Sequence, residues 1–208
     1  MSKLQKSLLI ISIILIIDQV LKIWIKTNMT LGQEFRIFSW FIIHFVENDG
    51  MAFGMELPGN YGKLILSIFR VIAVLGIGWY LYRLTQKKET TTGLIICMSL
   101  IFAGAIGNII DSAFYGLIFT ESYMQAASFV PPGQGYGSFL HGRVVDMFYF
   151  PVITGRYPEW FPFSLAGKSF IFFRPVFNIA DSSITTGIIS LLVFQKRFFK
   201  HEGDNTQE

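Results

Sequence analysis

Six ionisable residues stand where an apolar chain has little room for them. Asp18, Lys22, Arg70, Asp111, Asp146 and Asp181 lie inside or beside long runs of Leu, Ile, Val and Phe. A charge at the centre of a membrane helix costs about 2.5–3.5 kcal/mol on insertion scales. Asp18 and Lys22 are four residues apart, so on a helix they share a face and can pair. That pair either neutralises itself near the outer interface or anchors a polar site. Asn108 and Asp111 are three apart, and Asn178 and Asp181 repeat the spacing. On two helices of opposite direction these Asn/Asp pairs reach the same depth. The run Arg143-Val144-Val145-Asp146 sets a further carboxylate among apolar neighbours. Arg70, early in its own apolar run, is expected to snorkel outward.

Carboxyl groups that meet near one interface have a chemical use. Two aspartates within hydrogen-bonding reach do not both ionise easily, so one keeps a proton while the other acts as base on a water. Such a pair attacks a peptide carbonyl with no metal and no covalent intermediate. Other hydrolytic devices have less behind them. No H-E-x-x-H occurs, and His44, His141 and His201 are scattered, which gives zinc little support. No G-x-S-x-G elbow occurs, and Cys97 lies amid apolar residues, where a thiol is usually inert. The same carboxylates also suit a proton or ion relay in a small transporter, or contacts of a structural membrane subunit. Spacing alone leaves these readings open.

The elements that must position these residues follow from composition. Of 208 residues, 52% are hydrophobic, only 15% are charged, and mean hydropathy is +0.50; an average soluble domain is roughly 25% charged. A soluble globule and intrinsic disorder are both excluded, and one cysteine excludes an intramolecular disulfide. A single integral membrane domain covering 1–208 is expected. Four stretches have the length of a membrane helix, about 20 apolar residues: 8–25, 64–82, 94–110 and 176–194. They leave two long loops, 26–63 and 111–175. Lys3, Lys6, Arg83, Lys87, Lys88, Lys196, Arg197 and Lys200 crowd the short connections and ends, whereas the two much longer loops hold seven Lys and Arg. The positive-inside rule puts both termini in the cytoplasm and both loops outside. The net charge of +3 is thereby a topology signal and no nucleic acid partner is expected. Asp18-Gln19 follows the first apolar run in place of a small-x-small cleavage site, so a retained first helix is expected. Loop 26–63 contains FRIFSWFIIHFVENDGMAFGM, whose β-branched and aromatic residues predict a few short strands. Loop 111–175 has Gly- and Pro-rich turns and the aromatics Tyr157, Trp160, Phe161 and Phe163, a composition suited to a membrane interface.

Five motifs occur in order: Asp18-Gln19-x-x-Lys22, Asn48-x-Gly50-x-Ala52-Phe53-Gly54, Gly104-Ala105-x-Gly107-Asn108-x-x-Asp111, Val144-Val145-Asp146 and Phe177-Asn178-x-Ala180-Asp181. Together, on four spans with this topology, they resemble signal peptidase II, the bacterial lipoprotein signal peptidase family. The resemblance runs from the first span to the last. It implies an all-α membrane protein of four transmembrane helices with a small extracytoplasmic β-cradle and a long outer loop, in the bacterial cytoplasmic (inner) membrane. It implies an aspartic endopeptidase that removes the signal peptide of prolipoproteins just before a cysteine carrying a diacylglyceryl group. By the matching motifs Asp146 and Asp181 are the catalytic pair. Asn48, Gly50, Asn108, Asp111 and Asn178 look like substrate-positioning or supporting residues, and Asp18 with Lys22 like an anchor of the outer part. No cofactor or metal is implied. Contact with membrane lipid, inhibition by a globomycin-type compound and a monomeric state are expected.

Two features depart from the family. Its third-span Asp is usually followed by Arg, and here Ser112 stands there. Arg143, three residues before Asp146, is the candidate to supply the missing guanidinium. Segments 112–143 and 147–175 are longer than the family's usual connections, which suggests an added cover or a lipid-contacting flap.

Overall fold

A computed structural model describes residues 1–49, 60–162, 165–172 and 174–198. Gly50, Ala52, Phe53, Gly54, Phe163 and Lys200 therefore lie outside the described residues.

The polar side chains are inside and the apolar ones outside. Asp18, Lys22, Lys26 and Asp111 have no exposed surface, whereas Ile16, Val20, Phe69, Leu75, Trp79 and Val193 are exposed. That inversion is stable in lipid, where an apolar exterior costs nothing and a buried charge needs partners.

Helix α1 spans Lys3–Asn28 and starts in a reciprocal cap between Ser2 and Gln5. The two bonds satisfy two of the backbone N–H groups that a helix start leaves unpaired. Helix α2 covers Asn60–Gln86. Helix α3 covers Thr92–Ile110, capped by the Thr91 hydroxyl. It passes without a break into a wide π turn, Asp111–Tyr115, and a last turn α4, Gly116–Ile118. All three are long and apolar enough to cross a membrane. The third apolar helix was expected to end at Ile110; it continues to Ile118, because Asp111 and Ser112 find buried partners and so do not stop it. Helix α5, Ile179–Val193, has 15 residues, about 22 Å of rise against roughly 30 Å of hydrocarbon. Its expected start at 176 is corrected by a strand, β6, at Val176–Phe177. A short helix α6, Gln195–Phe198, follows.

The expected β-cradle is larger than the sequence suggested. Strands β1 (Glu34–Phe38) and β2 (Phe41–Asn48) come from the first of the two long loops. Strand β3 (Val144–Tyr149) comes from the second, and with β6 it completes an antiparallel sheet of order β1-β2-β3-β6. Strands β4 (Ile153–Arg156) and β5 (Ser169–Phe172) form a separate hairpin within the long outer segment. Tyr157 packs there between Phe161 and Phe170, with ring centroids 4.7 and 4.9 Å away. The helices thus carry a small sheet, as expected, with a second two-stranded sheet in addition.

Helix α3 is the hub and packs on α5, α1 and α2. Lipid gives helices no hydrophobic drive to associate, so close backbone approach matters. A Cβ on Gly104 would meet the Ala180 carbonyl oxygen at 2.2 Å, and one on Gly107 would meet the Asp18 carboxylate at 2.8 Å. Gly76 in α2 faces open space. Gly104→Ala is expected to push α3 from α5 and lower the unfolding midpoint in detergent. Gly76→Ala is expected to leave it unchanged or to stabilise by about 0.5–1 kcal/mol.

Candidate active site

The site begins with a lysine that has no exposed surface. Lys22 Nζ lies 2.9 Å from Asp18 and 2.8 Å from Asp111, all three with no side-chain exposure. It also donates to Asn108 Oδ1 at 2.9 Å. Both carboxylates have further donors. Asp18 accepts from the Ala180 backbone N–H at 2.9 Å, at the start of α5. Asp111 accepts from the Val145 N–H of β3 at 3.3 Å and from the Gln19 amide at 2.9 Å. The Asp18–Lys22 pair expected from spacing is therefore part of a buried junction of α1, α3, α5 and β3.

From Lys22 the network leads to the two candidate catalytic carboxylates. Asn108 accepts from Lys22 and donates through Nδ2 to Asp181 at 2.8 Å. Asn178 is the N-cap of α5; its Oδ1 accepts from the Asp181 N–H at 2.9 Å, while its own N–H donates to the Asp181 carboxylate at 3.3 Å. This reciprocal cap fixes Asp181 in the first turn of the helix. The Nδ2 of the same Asn178 donates to Asp146 Oδ1 at 2.7 Å and to Asn108 Oδ1 at 3.1 Å. Asn48 donates to Asp146 Oδ2 at 3.4 Å. One asparagine side chain thus touches both aspartates.

The two carboxyls live in different surroundings. Asp146 is buried in β3 between Val145 and Met147, both with at most 1% exposure. Burial, and next the negative charge of Asp181, push its pKa up to about 7, against the opposing pull of Lys22, Asn48 and Asn178. Asp181 is only partly buried and sits at the positive end of α5, which favours an anion.

Other expected residues sit as follows. Arg143 does not turn toward Asp146: its guanidinium donates to Glu47 at 3.1 Å and Glu121 at 2.8 Å. Ser112 returns its hydroxyl to the Asn108 carbonyl at 3.1 Å. Arg70 does not simply snorkel outward, as expected; it is half-buried and its charge interacts with that of Asp181, since a guanidinium held in an apolar layer seeks an anion. Gly50 lies outside the described residues. Three supporting residues went unnoticed in the sequence. Gln19 bridges Asp18 and Asp111, Tyr115 donates to Gln19 Oε1 at 3.2 Å, and Glu47 receives Lys26 and Arg143. Gln19 alone had a signal, being the second residue of the first motif. Among the described residues, no cluster of three or more His, Cys, Asp or Glu is arranged to hold a metal.

Residues 10–197 match the family model described as signal peptidase (SPase) II. The chain belongs to the signal peptidase II family. A lipoprotein signal peptidase of Porphyromonas gingivalis is 54% identical over 188 residues, 90% of this chain and 81% of its own length. One of Amoebophilus asiaticus is 38% identical over 185 residues, 88% of this chain and 73% of its own. A solved bacterial membrane enzyme superposes with a TM-score of 0.59 at 26% identity, covering 92% of both chains. A second, at 24% identity and a TM-score of 0.64, has the same fold. As a signal peptidase II the chain is a membrane peptidase. The transporter reading finds no support in these relatives.

Lys22→Met removes the cation that Asp18 and Asp111 share. It is expected to destabilise the protein by about 3–5 kcal/mol, as loss of one partner of a buried ion pair does. Asp18→Asn in the same chain should restore part of that loss, read from unfolding midpoints in detergent.

Proposed function

We propose that this chain is an aspartic endopeptidase that cleaves prolipoproteins just before a cysteine bearing a diacylglyceryl group. Asp146 and Asp181 would be its catalytic pair. The observation that carries this reading is the single Asn178 side chain that bonds both carboxyl-bearing residues. The charge of Asp181 is felt at Asp146, and the different surroundings of the two groups would divide the labour. Asp181, at the helix N-terminus, is the base that takes a proton from the attacking water. Asp146, in its apolar strand, holds the proton that polarises the scissile carbonyl and then passes to the leaving amine. Asn48 and Asn108 hold the carboxylates, and Gly50 is assigned to the extended peptide. Asp111, Asp18 and Lys22 hold the elements together. Arg143 is assigned a supporting role through Glu47. The exposed apolar faces of the helices would meet membrane lipid and the diacyl chains.

Orientation follows from the lysines and arginines: both termini in the cytoplasm, and the site near the outer face of the bacterial inner membrane. Helix α5, with α6, makes the fourth crossing in this reading. A monomer suffices, since one chain supplies every residue named.

Asp146→Asn and Asp181→Asn are each expected to accumulate uncleaved lipidated precursor. In a detergent assay, wild-type cleavage should fall as pH rises through about 7, where Asp146 loses its proton. Globomycin is expected to inhibit. Near-normal cleavage by either variant would reject the assignment.

A further inference from the structure

A second buried lysine ties the outer connection to the site. Lys26, in the last turn of α1, has no exposed surface, and its Nζ contacts the Glu47 carboxylate. It donates to Ser122 Oγ at 2.9 Å and lies over the ring of Tyr136, 4.9 Å from its centroid. Arg143 covers the same ring at 5.0 Å and donates to the other Glu47 oxygen at 3.1 Å. Ser122 also donates to Glu47 at 2.7 Å. Glu47 is therefore held by α1 and by both ends of segment 119–143, the long connection between α4 and β3.

Glu47 sits beside the residue that touches Asp146. It stands opposite Val145 across the β2–β3 ladder, while Val46 stands opposite Asp146 and Asn48 opposite Val144. Neighbouring strand residues point to opposite faces, so Asn48 shares a face with Val46 and Asp146 while Glu47 points away. The Asn48–Asp146 contact, at 3.4 Å, is at the far limit of a hydrogen bond. A small rotation of β2 breaks it.

We propose that Glu47 is a positioning residue for Asp146. By gripping Lys26, Ser122 and Arg143 on one face of β2, it keeps Asn48 within reach of Asp146 on the other. The proposal deepens the catalytic assignment above and rests on Asp146 holding the proton. The groups that face Asp146 are Asp181 and Asn178 at the start of α5, Lys22 from α1 and Asn48 from β2; Asp111, from the end of α3, takes the neighbouring Val145 N–H. Of these, Asn48 is the one Glu47 controls, and its bond favours the ionised form. Glu47 itself does not confuse the titration. Burial pushes its carboxyl up, but Lys26, Ser122 and Arg143 together hold it below the usual carboxylate range.

The test is the pH profile of lipopeptide cleavage by the full chain in detergent. Glu47→Gln keeps the size and removes the charge. It is expected to lower kcat about tenfold with KM nearly unchanged, and to move the alkaline limb to higher pH. In an Asn48→Ala background, the same substitution should no longer move the limb. If Glu47→Gln does not fold, Lys26→Met/Glu47→Met, which removes both buried charges, carries the same expectations. A limb that stays in place, or shifts equally without Asn48, overturns the role of Glu47. An inactive Asp146→Asn beside an unmoved limb overturns that role alone. An active Asp146→Asn overturns the catalytic assignment with it.

Discussion

The structure depends on the coordination of one ammonium group. Lys22 is enclosed by Asp18, Asp111 and Asn108, with no solvent to share the charge. A buried ion pair is tolerable only when its remaining lone pairs and protons are satisfied. Here each anion reaches on to another element, Asp18 to the start of α5 and Asp111 to β3. The ions therefore act as a joint. They tie α1 to the end of α3, the start of α5 and β3. Without this joint neither candidate catalytic carboxyl has a fixed place, because one sits on β3 and the other on α5.

The joint also reaches both candidate catalytic residues. Asn108 shares its oxygen between Lys22 and Asn178, and gives its N–H to Asp181. Asn178 distributes its own groups between Asp181 and Asp146. Every buried polar side-chain atom among the described residues has a partner, so the network has little freedom to rearrange. Within it, a strand bed raises the proton affinity of one carboxyl while a helix N-terminus receives the other. In the proposed mechanism the acid and the base differ through the elements that carry them. The expected substitute for the family's arginine, Arg143, serves this network at one remove, through Glu47 and the strand that carries Asn48.

What the sequence revealed depended on distance along the chain. Helical spacing disclosed Asp18 with Lys22, and the three-residue spacing disclosed both Asn/Asp pairs, because these contacts are local. The resemblance supplied the pairing of Asp146 with Asp181, which no spacing contains. Strand β3 escaped notice because a buried carboxylate interrupts its apolar run and hides the period of two. The extension of α3 escaped for a similar reason. Asp111 reads as a stop until its lysine partner, far off in sequence, is known. Glu47 had no local signal at all; its partners come from α1 and from both ends of the outer connection. Helix α5, where a fourth span was expected, is shorter than the three long helices, because the first expected residues were drawn into the sheet as β6.

In the proposed mechanism Asp146 and Asp181 share one proton, held on Asp146. Infrared titration of the Asp146 carboxyl, identified as the C=O stretching band lost in Asp146→Asn, measures it directly. This band is expected to titrate near 7 in the wild-type chain and to move to lower pH in Asp181→Asn, where the neighbouring charge is gone. A band that titrates in the ordinary carboxylate range, or that ignores the loss of Asp181, would contradict it.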